Sequence, residues 1–311
     1  MVSALSAPHF HNEEAAFAYV EARVWPEGPN CPHCGGVERI GKMAGKTTRT
    51  GLYKCYQCRK PFTVRIGTIF ESSHVALHIW LQAMYLIAGS KKGISSNQLH
   101  RTLGVTLKTA WFMSHRIREA MKTDSLGDFG AGGGTVEMDE TFIGRDPDAP
   151  ESRMATRMKM QVLALIDRNT GRSTSMVYTG NLNVAGVTEI LQANVAPDAH
   201  LMTDEARFYR IPGKAFASHR RVIHGHGEYV SKFDPTAHTN TIEGFFSIFK
   251  RGMKGVYQHC QKKHLHRYLA EFDFRYSNRQ ALGCNDGDRA DRLLAGIVGK
   301  RLTYETTGRG A

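Results

Sequence analysis

Three acidic residues fall where an acid is costly to place. Asp139 lies inside Val136-Glu137-Met138-Asp139-Glu140-Thr141-Phe142, which reads as a strand; Asp204 closes the strand-like run from Ala199 to Thr203; Glu243 falls in the first turn of a helix starting near Asn240. A carboxylate withdrawn from water costs several kcal/mol unless it is paired or coordinates a cation. Together the three suggest a hard-cation site. Oxygen donors suit Mg²⁺ or Mn²⁺, whose other ligands come from water and phosphate. Two such ions about 3.5–4 Å apart can serve both oxygens of an in-line phosphoryl displacement. The attacking group is then water or a DNA 3′-hydroxyl, and no nucleophilic side chain is needed. Each acid also has a plainer reading. Glu243 at a helix start favours the helix dipole or a capping box, and Asp204 can cap the segment after it. Glu137, Glu140 and Glu205 are close enough in sequence to be mistaken for ligands, and strand alternation puts Glu137 on the face of Asp139 with Glu140 opposite.

A second cluster has a sharper spacing. Cys31-Pro32-His33-Cys34 is followed, after twenty residues, by Cys55-Tyr56-Gln57-Cys58. Two C-x2-C pairs at this separation are the form of a structural Zn²⁺ site with four thiolates. Disulfides or a redox pair fit less well, because there are two pairs, no βαβ pattern around them and no secretory leader. The intervening residues suit a hairpin that sets one knuckle opposite the other.

The elements that must hold these residues can be read around them. Residues 13–23 form a short helix behind Asn12, and residues 60–66 alternate as a strand. Residues 74–88 are apolar at helical spacing, and residues 95–121 give a helix, a turn at Gly104 and a longer basic helix from Thr106. This is the outline of a helix-turn-helix. It would turn Thr106, Lys108 and Thr109 toward DNA and Trp111, Ile117 and Met121 toward the core. An ordinary helical pair is the alternative. Gly127 to Gly134 reads as a flexible connector. Beyond it come strands at 135–143, 160–166 and 173–178, a helix at 184–194, strands at 199–203 and 221–224, and amphipathic helices at 240–252 and 264–276. That order indicates an α/β domain with a mixed sheet.

The 311 residues carry a net charge of +12, with 41% apolar and 23% charged residues, as expected of a water-soluble globular chain. No run approaches the ~18–20 apolar residues of a membrane span. The charge is uneven: residues 1–125 hold sixteen Lys/Arg against eight Asp/Glu, residues 126–180 six against eight, and residues 181–311 nineteen against thirteen. An acidic patch between basic segments suits a protein that holds a polyanion and binds cations locally. Cys260 and Cys284 read as ordinary thiols.

The chain resembles bacterial insertion-sequence transposases of the ISXO-two-like group, with a zinc ribbon before a ribonuclease H-like DDE domain. The resemblance runs from about Asn12 to Arg279. It rests on Trp25-Pro26-Glu27-Gly28, the cysteine knuckles, Phe62-Thr63-Val64, Asp139-Glu140-Thr141-Phe142-Ile143-Gly144 and Thr203-Asp204-Glu205. Most of all it rests on His238-Thr239-Asn240-Thr241-Ile242-Glu243-Gly244-Phe245-Phe246-Ser247, continuing to Phe272-Asp273-Phe274-Arg275-Tyr276. It implies DNA transposition, with Asp139, Asp204 and Glu243 as the catalytic triad holding Mg²⁺ or Mn²⁺ and Cys31, Cys34, Cys55 and Cys58 holding Zn²⁺. The partner is double-stranded DNA, as element ends and as target, and the assembly on DNA is a dimer or larger. The setting is the bacterial cytoplasm at the nucleoid, without an organic cofactor or membrane partner. Lys250, Arg251, Lys254, Lys262, Lys263 and Arg267 are the expected phosphate contacts beside the triad. The loop Arg145-Asp146-Pro147-Asp148-Ala149-Pro150-Glu151 departs from the short Gly/Lys-rich turn usual in the group. His226 is a candidate phosphate contact or a structural histidine. The expected division is an N-terminal helix (1–28), zinc ribbon (29–70), helix-turn-helix module (71–126), Gly-rich linker (127–134), DDE domain (135–280) and C-terminal extension (281–311). A DNA-binding regulator without chemistry and a hydrolysis-only nuclease are the competing readings.

Overall fold

Asn12 starts the first helix: its side chain accepts from the Ala15 N–H at 2.9 Å, and α1 (Glu13–Val24) runs on from it. The computed structural model describes residues 3–123, 127–152, 154–180, 182–226, 230–231 and 234–303. The chain divides into two units, one of residues 1–90, 94–122 and 284–311, the other of 91–93 and 123–283.

In the first unit a small antiparallel sheet of β1 (Ile40–Lys42), β2 (Tyr53–Cys55) and β3 (Pro61–Phe62) carries the cysteine knuckles. Trp25 packs edge-on against Tyr53 and Phe62, at 5.5 and 5.8 Å between ring centroids, giving the ribbon a small apolar floor. The strand expected over 60–66 stops at Phe62, because the Ile66 N–H turns back to the Thr63 carbonyl. Next comes α2 (Leu77–Gly89), buried along Leu77, Trp80, Leu81, Met84 and Ile87. Its first N–H groups find their acceptor in the Glu13 carboxylate, 2.9 Å from Leu77 N and 3.2 Å from His78 N.

The helix-turn-helix follows as α3 (Ser96–Leu103) and α4 (Leu107–Ala120). Ser95 caps the first, Gly104 makes the turn at φ +65°, and Thr106 caps the second by accepting from Thr109 N–H at 3.1 Å. Ile117 and Met121 are buried as expected, whereas Trp111 is only half-buried and Ala110 and Met113 fill the core instead.

The second unit is built on a five-stranded sheet of β4 (Thr135–Ile143), β5 (Met160–Asp167), β6 (Ser173–Tyr178), β7 (His200–Thr203) and β8 (Ser218–Arg221). The order is β6-β5-β4-β7-β8, antiparallel across the first three strands and parallel from β4 to β8. This third–second–first–fourth–fifth arrangement is the ribonuclease H-like sheet. One face packs α6 (Asn240–Gly252) and α7 (Lys262–Ser277) against Val162, Ala164 and Ile166; the other face packs α5 (Val184–Asn194) against Val136, Met138, Leu163 and Leu201.

Three expectations are corrected here. The glycines of 127–134 are not a loose connector. Gly130 N–H donates to Asp167, Gly132 and Gly133 N–H donate to Asp198, and the turn closes from Gly134 N–H to the Gly130 carbonyl. Gly130 sits at φ +76°, where a Cβ would lie 2.6 Å from that of Ala199, so glycine is required for close packing against the sheet. The last strand runs over 218–221 rather than 221–224, in register with β7 as Thr203↔Arg221. Its polar Ser218-His219-Arg220-Arg221 suits an exposed edge, and the apolar Val222-Ile223 beyond it drew the expected strand too far along. Residues 284–303 do not stand apart as an extension. They return to the first unit, where α8 (Asp286–Ala295) packs on α2 and buried Arg289 donates to the Ala88 carbonyl at 3.0 Å. The polar stretch after about Leu302 reads in the sequence as a fraying end, and its residues 304–311 lie outside the described residues. Among the described residues no helix is long and apolar enough to cross a membrane.

Candidate active site and metal centre

The middle strand of the sheet and the two elements beside it position the acids. Asp139 sits in mid-β4 opposite Ala164 of β5; β7, parallel to β4, ends at Thr203 and delivers Asp204; Glu243 comes from the first turn of α6. The Asp139 carboxyl is pushed up to about 8, first by burial, then by Glu140, with Asp204 and Glu243 adding their own charge against the pull of the Glu140 N–H. Asp204 is raised too, by burial first and by repulsion from Glu205. Thr239 Oγ1 donates to Glu243 Oε1 at 3.1 Å, and His224 Nε2 lies 3.3 Å from the same oxygen. The negative charges of three separate elements therefore meet in one partly dehydrated place, an arrangement that favours a cation.

The neighbouring acids have other occupations. Glu137 is fully buried: it accepts from Arg168 Nε at 2.5 Å and from Ile242 N–H at 2.8 Å. Thr239 makes no side-chain cap to α6, so Glu137 supplies the acceptor that the helix start needs. Sequence reading treated Glu137 only as a possible impostor. Its role as a brace depends on a partner 105 residues away that nothing local announces. Glu140 points to the other face and accepts from buried Tyr209 Oη at 2.7 Å; burial pushes it up to about 7. Glu205 would be raised by burial, yet backbone N–H groups, including those of His224 and Gly225, hold it low.

The residues expected to touch DNA are dispersed. Thr106 and Lys108 are exposed at the start of α4, and Thr109 is half-buried, its hydroxyl 2.8 Å from that of Thr106. Arg251, Lys254 and Lys263 are exposed, and Lys250 is half-buried on the helix of Glu243. Arg251 also donates to Ser247 Oγ, and Arg267 lies 2.9 Å from His264 Nδ1. Lys262 is different: its ammonium lies 2.8 Å from Asp146 and 3.1 Å from Asp148, so the acidic loop already neutralises it. The His226 side chain lies outside the described residues.

The cysteine quartet is the tighter centre. Cys31 Sγ lies 3.6 Å from Cys58 Sγ and Cys34 Sγ 3.7 Å from Cys55 Sγ. Tetrahedral zinc with bonds of about 2.3 Å requires sulfurs about 3.8 Å apart, so the four thiolates fit that ion. The N–H groups of Cys58 and Gln57 hold the Cys55 thiol down to about 7, favouring a thiolate. Among the described residues this is the group of His, Cys, Asp or Glu whose ligand atoms all lie within 4.8 Å of one another. The carboxylates of Asp139, Asp204 and Glu243 are not drawn together to that degree.

A ribonuclease H-like sheet with acids gathered on β4, after β7 and on α6, behind a four-cysteine ribbon, defines a transposase with a DDE domain. Residues 132–277 match the model of the ISXO2-like transposase domain and residues 11–61 match the transposase zinc-ribbon domain; the chain belongs to the ISXO2-like transposases. It is 29% identical over 266 residues, 81% of this chain and 86% of the relative, to an uncharacterized protein in transposable element ISH50 of Halobacterium salinarum. Among solved structures, a chain of the simian T-cell lymphotropic virus intasome in complex with PP2A regulatory subunit B56 gamma is similar at TM-score 0.30 and 13% identity, over 56% of this chain. The match spans 63% of that chain, less than two thirds of its length. A pre-cleavage Mos1 transpososome is similar at TM-score 0.27 and 12% identity, over 69% of this chain and 73% of that one.

Proposed function

We propose that this transposase binds the terminal repeats of its insertion sequence and cuts and joins DNA strands at Asp139, Asp204 and Glu243. The observation that carries the reading is the convergence of acids from three elements, Asp139 in mid-β4, Asp204 after β7 and Glu243 in the first turn of α6, where burial, Glu140 and then the other two charges hold the Asp139 carboxyl up. The donors are all carboxylate oxygens, with Asp139 and Asp204 partly withdrawn from water and Glu243 more open, and they fit Mg²⁺ or Mn²⁺. When bound, such ions would supply electrostatic activation of the attacking oxygen and stabilisation of the leaving one.

The protein's own groups do the positioning. Glu137 fixes the start of α6, and with it Glu243, against β4. Thr239 and His224 orient the Glu243 carboxylate. In cleavage, water attacks a phosphodiester and the strand leaves as a 3′-hydroxyl; in strand transfer, that hydroxyl attacks a target phosphodiester and expels another 3′-hydroxyl. Phosphate contacts come from Lys250, Arg251, Lys254 and Lys263, with Arg267 alongside, while Lys262 becomes available only when its acidic partners release it. The ribbon and α4, through Thr106, Lys108 and Thr109, read the element ends. Two ends must be held together, so the assembly is a dimer or larger.

The test is a strand-transfer assay with labelled duplex carrying the repeats that flank the gene, supercoiled target and Mg²⁺ or Mn²⁺. Joined product is expected from the wild type and from neither Asp139→Ala nor Glu243→Ala. Tight binding without cleavage or joining in either metal would leave a DNA-binding regulator, and cleavage without joining would leave a nuclease.

A further inference from the structure

The carboxyl ends of β7 and β8 open into a cavity of about 940 Å³ that none of the expected contacts line. Its walls hold Arg207 and Arg210, just after Asp204, and Arg220 and Arg221, at the end of β8. All four are exposed. Arg220 is paired with Asp234, but among the described residues Arg207, Arg210 and Arg221 make no ion pair. Two acids share the wall: Asp234, paired with Arg220, and Glu205, which accepts from the backbone N–H groups of His224 and Gly225. His219 bonds to Thr203 Oγ1 and is pushed down to about 4 by burial and by Arg221, so it adds no charge at neutral pH. Arg207, Arg210, Arg220 and Arg221 give the cavity four positive charges against the two of Glu205 and Asp234, an excess that a bound anion relieves. Guanidinium forks suit phosphate oxygens in particular.

Position gives the anion its identity. The cavity begins at the residue after Asp204 and follows the same strand ends, the usual side for ligands of parallel strands. We infer that this arginine groove carries the DNA backbone leading away from the scissile phosphate, with Arg207, Arg210 and Arg221 each meeting a phosphate. The inference rests on the transposase reading above. It makes β8, the polar edge strand, a track for the substrate.

The experiment measures binding of the zinc-loaded protein to the terminal-repeat duplex with no chelator and no added Mg²⁺ or Mn²⁺, across a salt series, for the wild type and for two triple variants. In Arg207→Ala/Arg210→Ala/Arg221→Ala, removing three phosphate contacts flattens the plot of log K against log salt by about 3. In Arg207→Lys/Arg210→Lys/Arg221→Lys most of the slope returns, because the charges are kept. Wild-type slope in the alanine variant, with an unchanged melting temperature, would overturn the groove while leaving the transposase intact. If the alanine variant fails to fold, the single charge reversal Arg210→Glu replaces it, and an unchanged affinity there overturns the groove equally. A wild type that binds no duplex at all would instead remove the transposase reading itself.

Discussion

At the residue scale, Asp139 and Glu137 face the same way along β4 and do opposite things. Asp139 has its carboxyl raised from the usual range to about 8, and Glu140 is raised to about 7. A raised acid stabilises the fold below its unfolded value and loses that contribution as pH rises through the folded value. The metal-free protein should therefore lose stability between about pH 4 and pH 8. Mn²⁺ should raise its melting temperature more at pH 8 than at pH 5. Asp139→Asn should remove most of that difference and melt higher than the metal-free wild type at pH 8, as differential scanning fluorimetry can check. For Glu137→Ala the sign is reversed. The change removes the counter-charge of Arg168, which keeps its bonds to the Thr236 and His238 carbonyls, and orphans the Ile242 N–H, so it should cost about 3 kcal/mol, read as a fall of about 2–4 °C per kcal/mol. Both acids were visible in sequence as costly carboxylates in a strand. Which one would be neutralised by an arginine depended on contacts across the fold.

At the element scale, α6 is held at both ends. Its start rests on Glu137, and its last residue, Gly252, packs so closely that a Cβ would lie 2.5 Å from the Lys92 carbonyl oxygen and 2.5 Å from the Phe272 ring. Gly252→Ala should destabilise by about 1–3 kcal/mol through overpacking, measurable by urea unfolding, and should lower strand transfer by moving Glu243. The helices with clear periodicity were legible: residues 240–252 and 184–194 were expected with the bounds they have. The edge strand was not, because β8 is polar on both faces and alternation has nothing to act on. The glycine-rich turn was misread for a related reason. Four glycines look like slack in a sequence, yet here they permit hydrogen bonds to Asp167 and Asp198 that a bulkier chain would block.

At the scale of the whole molecule, the cysteine quartet and the three carboxylates belong to different units and should fail separately. The ribbon has only short strands and a small aromatic floor, so chelating its zinc should open it to protease. The protected amides of the five-stranded sheet should stay protected, as hydrogen exchange would show. The same treatment should abolish recognition of the terminal repeats while leaving weak, salt-sensitive binding by the basic second unit.

The return of α8 to the first unit has a consequence for how the molecule is made. The unit carrying the ribbon and the paired helices is built from segments on both sides of the second unit in the chain, so the whole ribonuclease H-like domain is translated between them. Domains fold as units during synthesis, so the inserted domain can finish folding on the ribosome while its host still lacks α8. A transcript truncated after residue 283 would encode every acid of the triad, but it would leave α2 without the helix that covers it. Such a protein would keep its chemistry and lose the unit that addresses it.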